Sequence, residues 1–212
     1  MKTDSLASKA FIEIRKKILS KQLPVNTRLK EDEWAKKLGV SRMAIREALT
    51  RLLGEDLVMP GERSGYYIKP VLTSEIQDIR ELREILEIGA IRIACTKMSE
   101  EQFATLEKIC DDFADMVHKG YFNGALEADM KFHETLVEYS GNTKLLRVYK
   151  SSHIPLFHQK LGISTIGHGY YDQTDAEHRQ IVKALREGNL DLAEKTMITH
   201  FNRHENLTFD MD

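Results

Sequence analysis

Several ionisable side chains occur at positions in the second half of the chain where a helix should present its apolar face. Asp129 and His133 lie one helical turn apart on an apolar stripe, and His178, His200 and His204 fall on the apolar stripes of two later helices. A buried charge or imidazole without a partner is energetically costly. We therefore expect these groups to satisfy one another, a water cluster or a metal ion.

The Asp-x3-His pair and two further inward histidines would form an N3O donor set, which suits a divalent transition metal. Zn²⁺ or Ni²⁺ fits best, and Mn²⁺ is possible. Five- or six-coordination would leave positions that a small carboxylic acid could occupy, and the acid would thereby be sensed. Taken singly, each histidine is more often a hydrogen-bonded core residue than a ligand.

The elements that must position these side chains are helices. From residue 74 onward the sequence shows helical periodicity without strand-like alternation, and Ser99 and Thr174 each open a capping-box pattern. The prediction is an all-α bundle of six or seven helices within residues 74–208. Its predicted helices cover 74–97, 99–119, 122–139, 143–161, 175–187 and 190–207.

A different chemistry is predicted for residues 31–53, which form two short amphipathic helices separated by Gly39. Ser41 is a suitable N-cap for the second helix. On the face opposite its apolar stripe, this helix carries Arg42, Met43, Arg46 and Thr50. The N-terminal part of a recognition helix contacts base edges and phosphates, so this face is a candidate DNA-binding surface. An ordinary solvated face is the alternative.

Two short apolar runs, 57–59 and 66–68, follow this helix pair and flank a loop that contains Gly61 and Gly65. Such a pattern predicts a β-hairpin. Directly after a helix-turn-helix, a hairpin is typical of the wing of a winged helix, and Arg63 would lie at its tip.

Residues 1–70 contain a set of short motifs around the two helices and the hairpin: Leu29, Gly39-Val40-Ser41-Arg42, Arg46-Glu47-Ala48-Leu49 and Gly65. With these motifs the segment resembles the DNA-binding domain of GntR-type bacterial transcription regulators. The resemblance implies a winged helix-turn-helix over residues 1–70 that binds double-stranded operator DNA. It also adds Ser41 and Gly65 to the expected DNA-binding residues.

The helical segment after residue 74 contains a second set of motifs: Arg83-Glu84-Ile85-Leu86-Glu87, Asp129-Met130-Lys131-Phe132-His133, Gly141-Asn142, Glu177-His178 and His200. With these motifs it resembles the FCD effector-binding domain of the FadR-like GntR subgroup. The resemblance implies that the metal ligands are Asp129, His133, His178 and His200, and that Arg83 meets an effector's carboxylate. His153 and His204 could line the same cavity or could be packed core histidines.

Charge divides the chain in the same way. Residues 1–70 contain 15 Lys and Arg against 9 Asp and Glu, a formal charge of +6, while the remainder of the 31 basic and 33 acidic residues give −8. A basic small domain suits a polyanion such as DNA. We find no apolar run that could span a membrane, and Cys95 and Cys110 lack metal-ligand spacing, so we expect a cytoplasmic protein with free thiols.

Together these features predict a mainly α protein that acts as a ligand-responsive transcription regulator. We expect a repressor, and a homodimer that reads two half-sites. Two alternatives remain at this point. The histidines and the carboxylate could activate water in a metal-dependent enzyme, although no general base is evident and we assign no catalytic residue. In a direct metal sensor, the metal itself would be the signal.

Overall fold

The computed structural model describes residues 5–61, 65–70, 72–152, 154 and 168–209. The chain divides into two compact units, Met1–Val71 and Leu72–Asp212. Each unit has its own hydrophobic core, so each is described separately.

The described residues of the first unit form three helices: α1 (Leu6–Leu19), α2 (Glu31–Leu38) and α3 (Arg42–Gly54). Helix α2 ends at Gly39, whose φ of +64° is a left-handed conformation that favours glycine. Helix α3 begins at its N-cap Ser41, whose hydroxyl accepts a hydrogen bond from the backbone N–H of Ala44 at 3.2 Å. The predicted helix-turn-helix is therefore confirmed.

Where the structure describes this unit, it also has three short strands: β1 (Arg28–Leu29), β2 (Val58–Pro60) and β3 (Tyr66–Ile68). They form an antiparallel sheet in the order β1-β3-β2, and β2 with β3 is the predicted wing hairpin. Strand β1 was not predicted, because two residues are too few to show strand-like alternation.

The core of the first unit determines which face of α3 is left exposed. Ile45, Ala48, Leu49 and Leu52 of α3 are fully buried in one cluster with residues of α1, α2 and the wing. Because this stripe packs inward, the opposite face of α3 is presented to solvent.

The described part of the second unit is all-helical, which confirms the predicted class. Helices α5 and α6 pack against each other, as do α8 and α9, and α4 contacts both α6 and α9. The helices are α4 (Thr73–Ala94), α5 (Glu100–His118), α6 (Phe122–Tyr139), α7 (Thr143–Ser151), α8 (His168–Arg186) and α9 (Leu190–Phe209).

Two helix boundaries differ from the sequence predictions by more than three residues. Helix α8 begins seven residues before the predicted start at 175, so Thr174 is not an N-cap. Its hydroxyl instead donates to the carbonyl of Tyr170, one turn earlier in the same helix. Helix α7 ends at Ser151, whereas the prediction extended it to residue 161. Among the described helices, none combines the length and hydrophobicity that crossing a membrane requires.

Candidate metal centre and nucleic-acid interface

Four side chains from three helices meet inside the second unit. Asp129 and His133 come from α6, His178 from α8 and His200 from α9, and one ligand atom from each lies within 4.8 Å of all the others. The Nε2 atoms of His133 and His200 are 3.2 Å apart. The Asp129 Oδ1 atom lies 3.3 Å from Nε2 of His178 and 3.8 Å from Nε2 of His133.

All four groups are buried, with side-chain exposures no higher than 4%. His178 is held between two aromatic rings, since Phe132 stacks on it at 4.1 Å and Phe113 meets it edge-on at 5.8 Å between centroids. Burial lowers the pKa of His178, while Asp129 acts in the opposite direction. The neutral imidazole that burial favours is the form that binds a metal.

The Nδ1 atom of His133 points away from the cluster and lies 2.6 Å from Oε2 of Glu87. Glu87 in turn accepts a hydrogen bond from Nε of Arg83 at 2.7 Å and one from the hydroxyl of Tyr149 at 3.3 Å. Burial acts to raise the pKa of Glu87, but the Arg83 guanidinium and His133 outweigh it and hold the pKa below its usual range. An ionised carboxylate therefore orients His133.

His200 of α9 is also supported by a carboxylate, that of Glu177 on α8. Its Nδ1 atom lies 2.9 Å from Oε2 of Glu177, and Arg203 binds that carboxylate through Nε at 2.9 Å and through a second guanidinium nitrogen. Arg203 also donates to the hydroxyl of Thr174 and lies over the ring of Tyr170. The start of α8 at His168 brings Tyr170 and Thr174 into this network.

These residues fit a bound divalent metal ion. Ligand atoms about 2.0–2.2 Å from a common ion are roughly 3–4 Å from one another, which is the spacing of the measured pairs. Metal-binding histidines characteristically direct the other ring nitrogen at a carboxylate, as His133 and His200 do here. Three imidazoles and one carboxylate are the donors that Zn²⁺ and Ni²⁺ accept.

The three residues predicted to meet an effector have different outcomes. Arg83 is buried on α4, paired with Glu87, with its guanidinium 4.5 Å above the Phe201 ring. His153 lies outside the described residues, and so does the side chain of His204. Their contact with an effector stays a prediction.

Sequence reasoning assigned no role to Glu87, Glu177, Tyr149 or Arg203. Glu87 and Glu177 belong to the motifs that carried the resemblance, so the signal was present but unused. Thr174 and Glu177 instead suggested a helix start, because a capping box and an interior Thr-x-x-Glu pattern have the same sequence. Tyr149 and Arg203 join the network only through tertiary contacts.

In the first unit, the predicted DNA-binding residues of α3 lie on its solvent face. Arg42, Met43, Arg46 and Thr50 are exposed, and the Thr50 hydroxyl donates to the Arg46 carbonyl. Ser41 is also exposed, although its hydroxyl caps α3. Gly65 has a φ of +88° beside β3, and Arg63 lies outside the described residues. Contact of any of these with DNA stays a prediction.

The same face contains two carboxylates whose arginine partners the sequence analysis did not identify. Glu31 accepts hydrogen bonds from Nε and a terminal nitrogen of Arg46, both at 2.9 Å. Asp32 lies 2.9 Å from Nε of Arg42. The pairs join residues of two different helices, so helical periodicity within one segment could not reveal them.

A winged helix with an exposed arginine face, followed by a helical unit with its own core, is typical of a DNA-binding regulator with a second domain. Family models place both parts: "Bacterial regulatory proteins, gntR family" matches residues 6–68, and "FCD domain" matches residues 78–203. The chain belongs to the GntR family of bacterial transcription regulators, in the subgroup with an FCD domain. Members of this family are transcription regulators and not enzymes, and the comparisons thus support the regulator over the metal-dependent enzyme considered from the sequence.

Individual relatives agree with this membership. The uncharacterized HTH-type transcriptional regulator YdhC of Bacillus subtilis is 27% identical over 91% of this chain and 86% of its own. The gluconate operon transcriptional repressor of Bacillus licheniformis is 24% identical over 90% and 79%. The crystal structure of a putative GntR regulator from Rhodococcus sp. RHA1 has the same fold, with a TM-score of 0.78 at 18% identity over 97% and 98%.

The recognition role of α3 can be tested with Arg46→Ala and the matched control Arg51→Ala. Arg51 is on the same helix, but its guanidinium lies over Phe11 and donates to Ser8. A bidentate arginine contact to a base discriminates by about 1–3 kcal/mol, so Arg46→Ala should weaken binding roughly 5- to 150-fold. The probe is the duplex that the wild-type protein selects from a random library, and binding is followed by fluorescence anisotropy.

Arg51→Ala should bind the same duplex about as well as the wild type. The recognition-helix assignment would be contradicted if Arg46→Ala bound the duplex as tightly as the wild type, or if both variants lost the same affinity.

Proposed function

We propose that this regulator is a homodimeric repressor whose operator affinity is modulated by a small carboxylic acid bound at a metal site in the FCD domain. Asp129, His133, His178 and His200 would hold the ion. The observation that carries the proposal is the convergence of their four ligand atoms within 4.8 Å in a buried site. Since its ligand is chromosomal DNA, we place the protein in the cytoplasm.

The donor set favours Zn²⁺ or Ni²⁺, with Mn²⁺ a further possibility. When bound, the ion would supply a Lewis-acidic position that attracts a carboxylate. The protein's own residues would orient the ligands. Phe132 and Phe113 orient His178, and the carboxylates of Glu87 and Glu177 orient His133 and His200.

The metal site supports a carboxylic acid as effector better than Arg83 alone does. The positive charge of Arg83 is already compensated by Glu87, which holds it at 2.7 Å in a buried ion pair. An incoming acid would have to compete with that carboxylate for the guanidinium, whereas at an open position of a bound metal ion it would displace only water. We therefore assign the main attraction to the metal and keep Arg83 as a predicted secondary contact.

A repressor is favoured by the gluconate operon transcriptional repressor among the relatives.

A homodimer is favoured by the mode of DNA reading, because one winged helix contacts only a few base pairs and two half-sites raise the specificity over genomic competitors. Acid binding would act by favouring one arrangement of the dimer over another, which requires different affinities of the acid for the two arrangements.

The ligand set is tested by the double variant His133→Ala/His178→Ala, with His118→Ala as control because that histidine is exposed on α5. The double variant should lose its metal, measured by inductively coupled plasma mass spectrometry, and should still bind the selected duplex. A panel of mono-, di- and tricarboxylates should change the duplex affinity of wild type and His118→Ala only.

A double variant that retains a full metal equivalent would refute the ligand set. A wild type that responds to Zn²⁺ or Ni²⁺ alone, with no further change on adding any acid, would favour the direct metal sensor over the acid sensor.

The supporting carboxylates give a second test, through Glu177→Gln. Glutamine keeps an acceptor for His200 but loses the charge, and loss of a partner behind a metal-binding histidine weakens metal affinity about 10- to 100-fold. The matched control is Glu194→Gln, which removes the acid of an ion pair with Arg92 on the same unit's surface. Competition with a chromogenic chelator measures the Zn²⁺ affinity of each variant. Equal Zn²⁺ affinities of the two variants would contradict a positioning role for Glu177.

A further inference from the structure

The two arginines at the exposed face of α3 are each paired with an acidic residue from the first turn of α2. Arg46 donates two hydrogen bonds to the two carboxylate oxygens of Glu31, each at 2.9 Å. Arg42 lies 2.9 Å from Asp32 and 3.8 Å from Glu31. The face that the helix-turn-helix presents to DNA therefore carries two carboxylates beside its two guanidiniums.

The two acids differ in how firmly they hold their partners. The Glu31 side chain is 17% exposed and binds Arg46 in a bidentate fork, and this hydrogen bonding lowers the pKa of Glu31. The Asp32 side chain is 62% exposed and its partner Arg42 is 61% exposed. An exposed pair of that kind is weak, so Asp32 acts on Arg42 mainly as a neighbouring negative charge and does not fix its guanidinium.

The charge compensation affects the two modes of DNA binding differently. Binding to any sequence depends on the neutralisation of phosphates and the release of their counterions. Carboxylates beside the arginines oppose it, since they compete with phosphates and repel them. Recognition of one sequence adds hydrogen bonds from guanidinium to base edges, which depend on direction more than on net charge.

We propose that Asp32 and Glu31 are specificity-determining residues of the DNA-binding domain. Asp32 offsets the charge of Arg42, so that this arginine gains little from phosphates of an arbitrary sequence. Glu31 fixes the guanidinium of Arg46 in one orientation over the recognition face. The inference rests on the predicted recognition role of Arg42 and Arg46, which the Arg46→Ala experiment tests separately.

A purely local explanation is that acidic residues in a first turn stabilise α2 through the helix dipole. Glu33 provides the matched control for that explanation. It lies in the same first turn and pairs with Lys30 at 2.7 Å on the surface. Asp32→Asn and Glu33→Gln thus remove the same charge from the same turn, but only the first removes a partner of α3.

The experiment measures affinity by fluorescence anisotropy for two duplexes, one of random sequence and the one that the wild-type protein selects from a library, over a series of salt concentrations. For Asp32→Asn on the random duplex, freeing one arginine for one more phosphate should steepen the log–log salt dependence by about 0.9. If the variant and the wild type bind equally at 1 M salt, this steeper dependence makes the variant bind the random duplex roughly eightfold more tightly at 0.1 M.

The selected duplex should gain less, because Arg42 is already engaged with bases there, so the ratio of the two affinities should fall. Glu31→Gln should weaken binding to the selected duplex while leaving or raising affinity for the random one. Glu33→Gln should leave the salt dependence at the wild-type value. The proposal is overturned if Asp32→Asn and Glu33→Gln change the salt dependence equally, or if Asp32→Asn leaves the affinity ratio unchanged.

Discussion

Burial of three imidazoles and a carboxylate in one helical bundle is the constraint on which the second domain depends. Asp129, His133, His178 and His200 are all removed from water, and polar groups in such a place must be paired. The pairing extends outward in two directions, through Glu87 to Arg83 and through Glu177 to Arg203. Each chain of contacts ends in a guanidinium that balances a buried carboxylate.

In this arrangement the candidate ligand atoms face one another, and other side chains hold the imidazole rings in place. The Nε2 atoms of His133 and His200 approach each other, and their Nδ1 atoms are each fixed from behind by a carboxylate. Support of each ring by a carboxylate reduces the binding free energy that is lost to ordering the side chains when a ligand binds. The two aromatic rings around His178 have the same effect by packing.

Sequence reasoning predicted what depends on local spacing. The Asp129 and His133 pair on one face of α6, the break at Gly39 and the cap at Ser41 all follow from patterns within a few residues. The supports of the site could not be predicted in this way, because Glu87 and His133 or Glu177 and His200 meet only after the helices pack. Thr174 shows the limit of local patterns, because the Thr-x-x-Glu sequence fits the start of a helix as well as it fits the helix interior where Thr174 lies.

The DNA-binding domain shows the same limit at its surface. Arg42 and Arg46 were predicted on the exposed face of α3, and they lie there. Their pairing with Asp32 and Glu31 is a contact between helices that changes the charge of the face without changing its composition. The excess of basic residues over 1–70 therefore overstates the positive charge at the point where bases would be read.

The central question is whether the helical domain holds a metal ion when the protein is isolated from its host. Native mass spectrometry of the protein purified without added metal or chelator measures this directly. We expect a dimer with one metal ion per chain, and an additional small-acid mass would identify the effector. A metal-free protein that also fails to take up Zn²⁺, Ni²⁺ or Mn²⁺ would contradict the proposed metal site, and the buried histidines would then be structural.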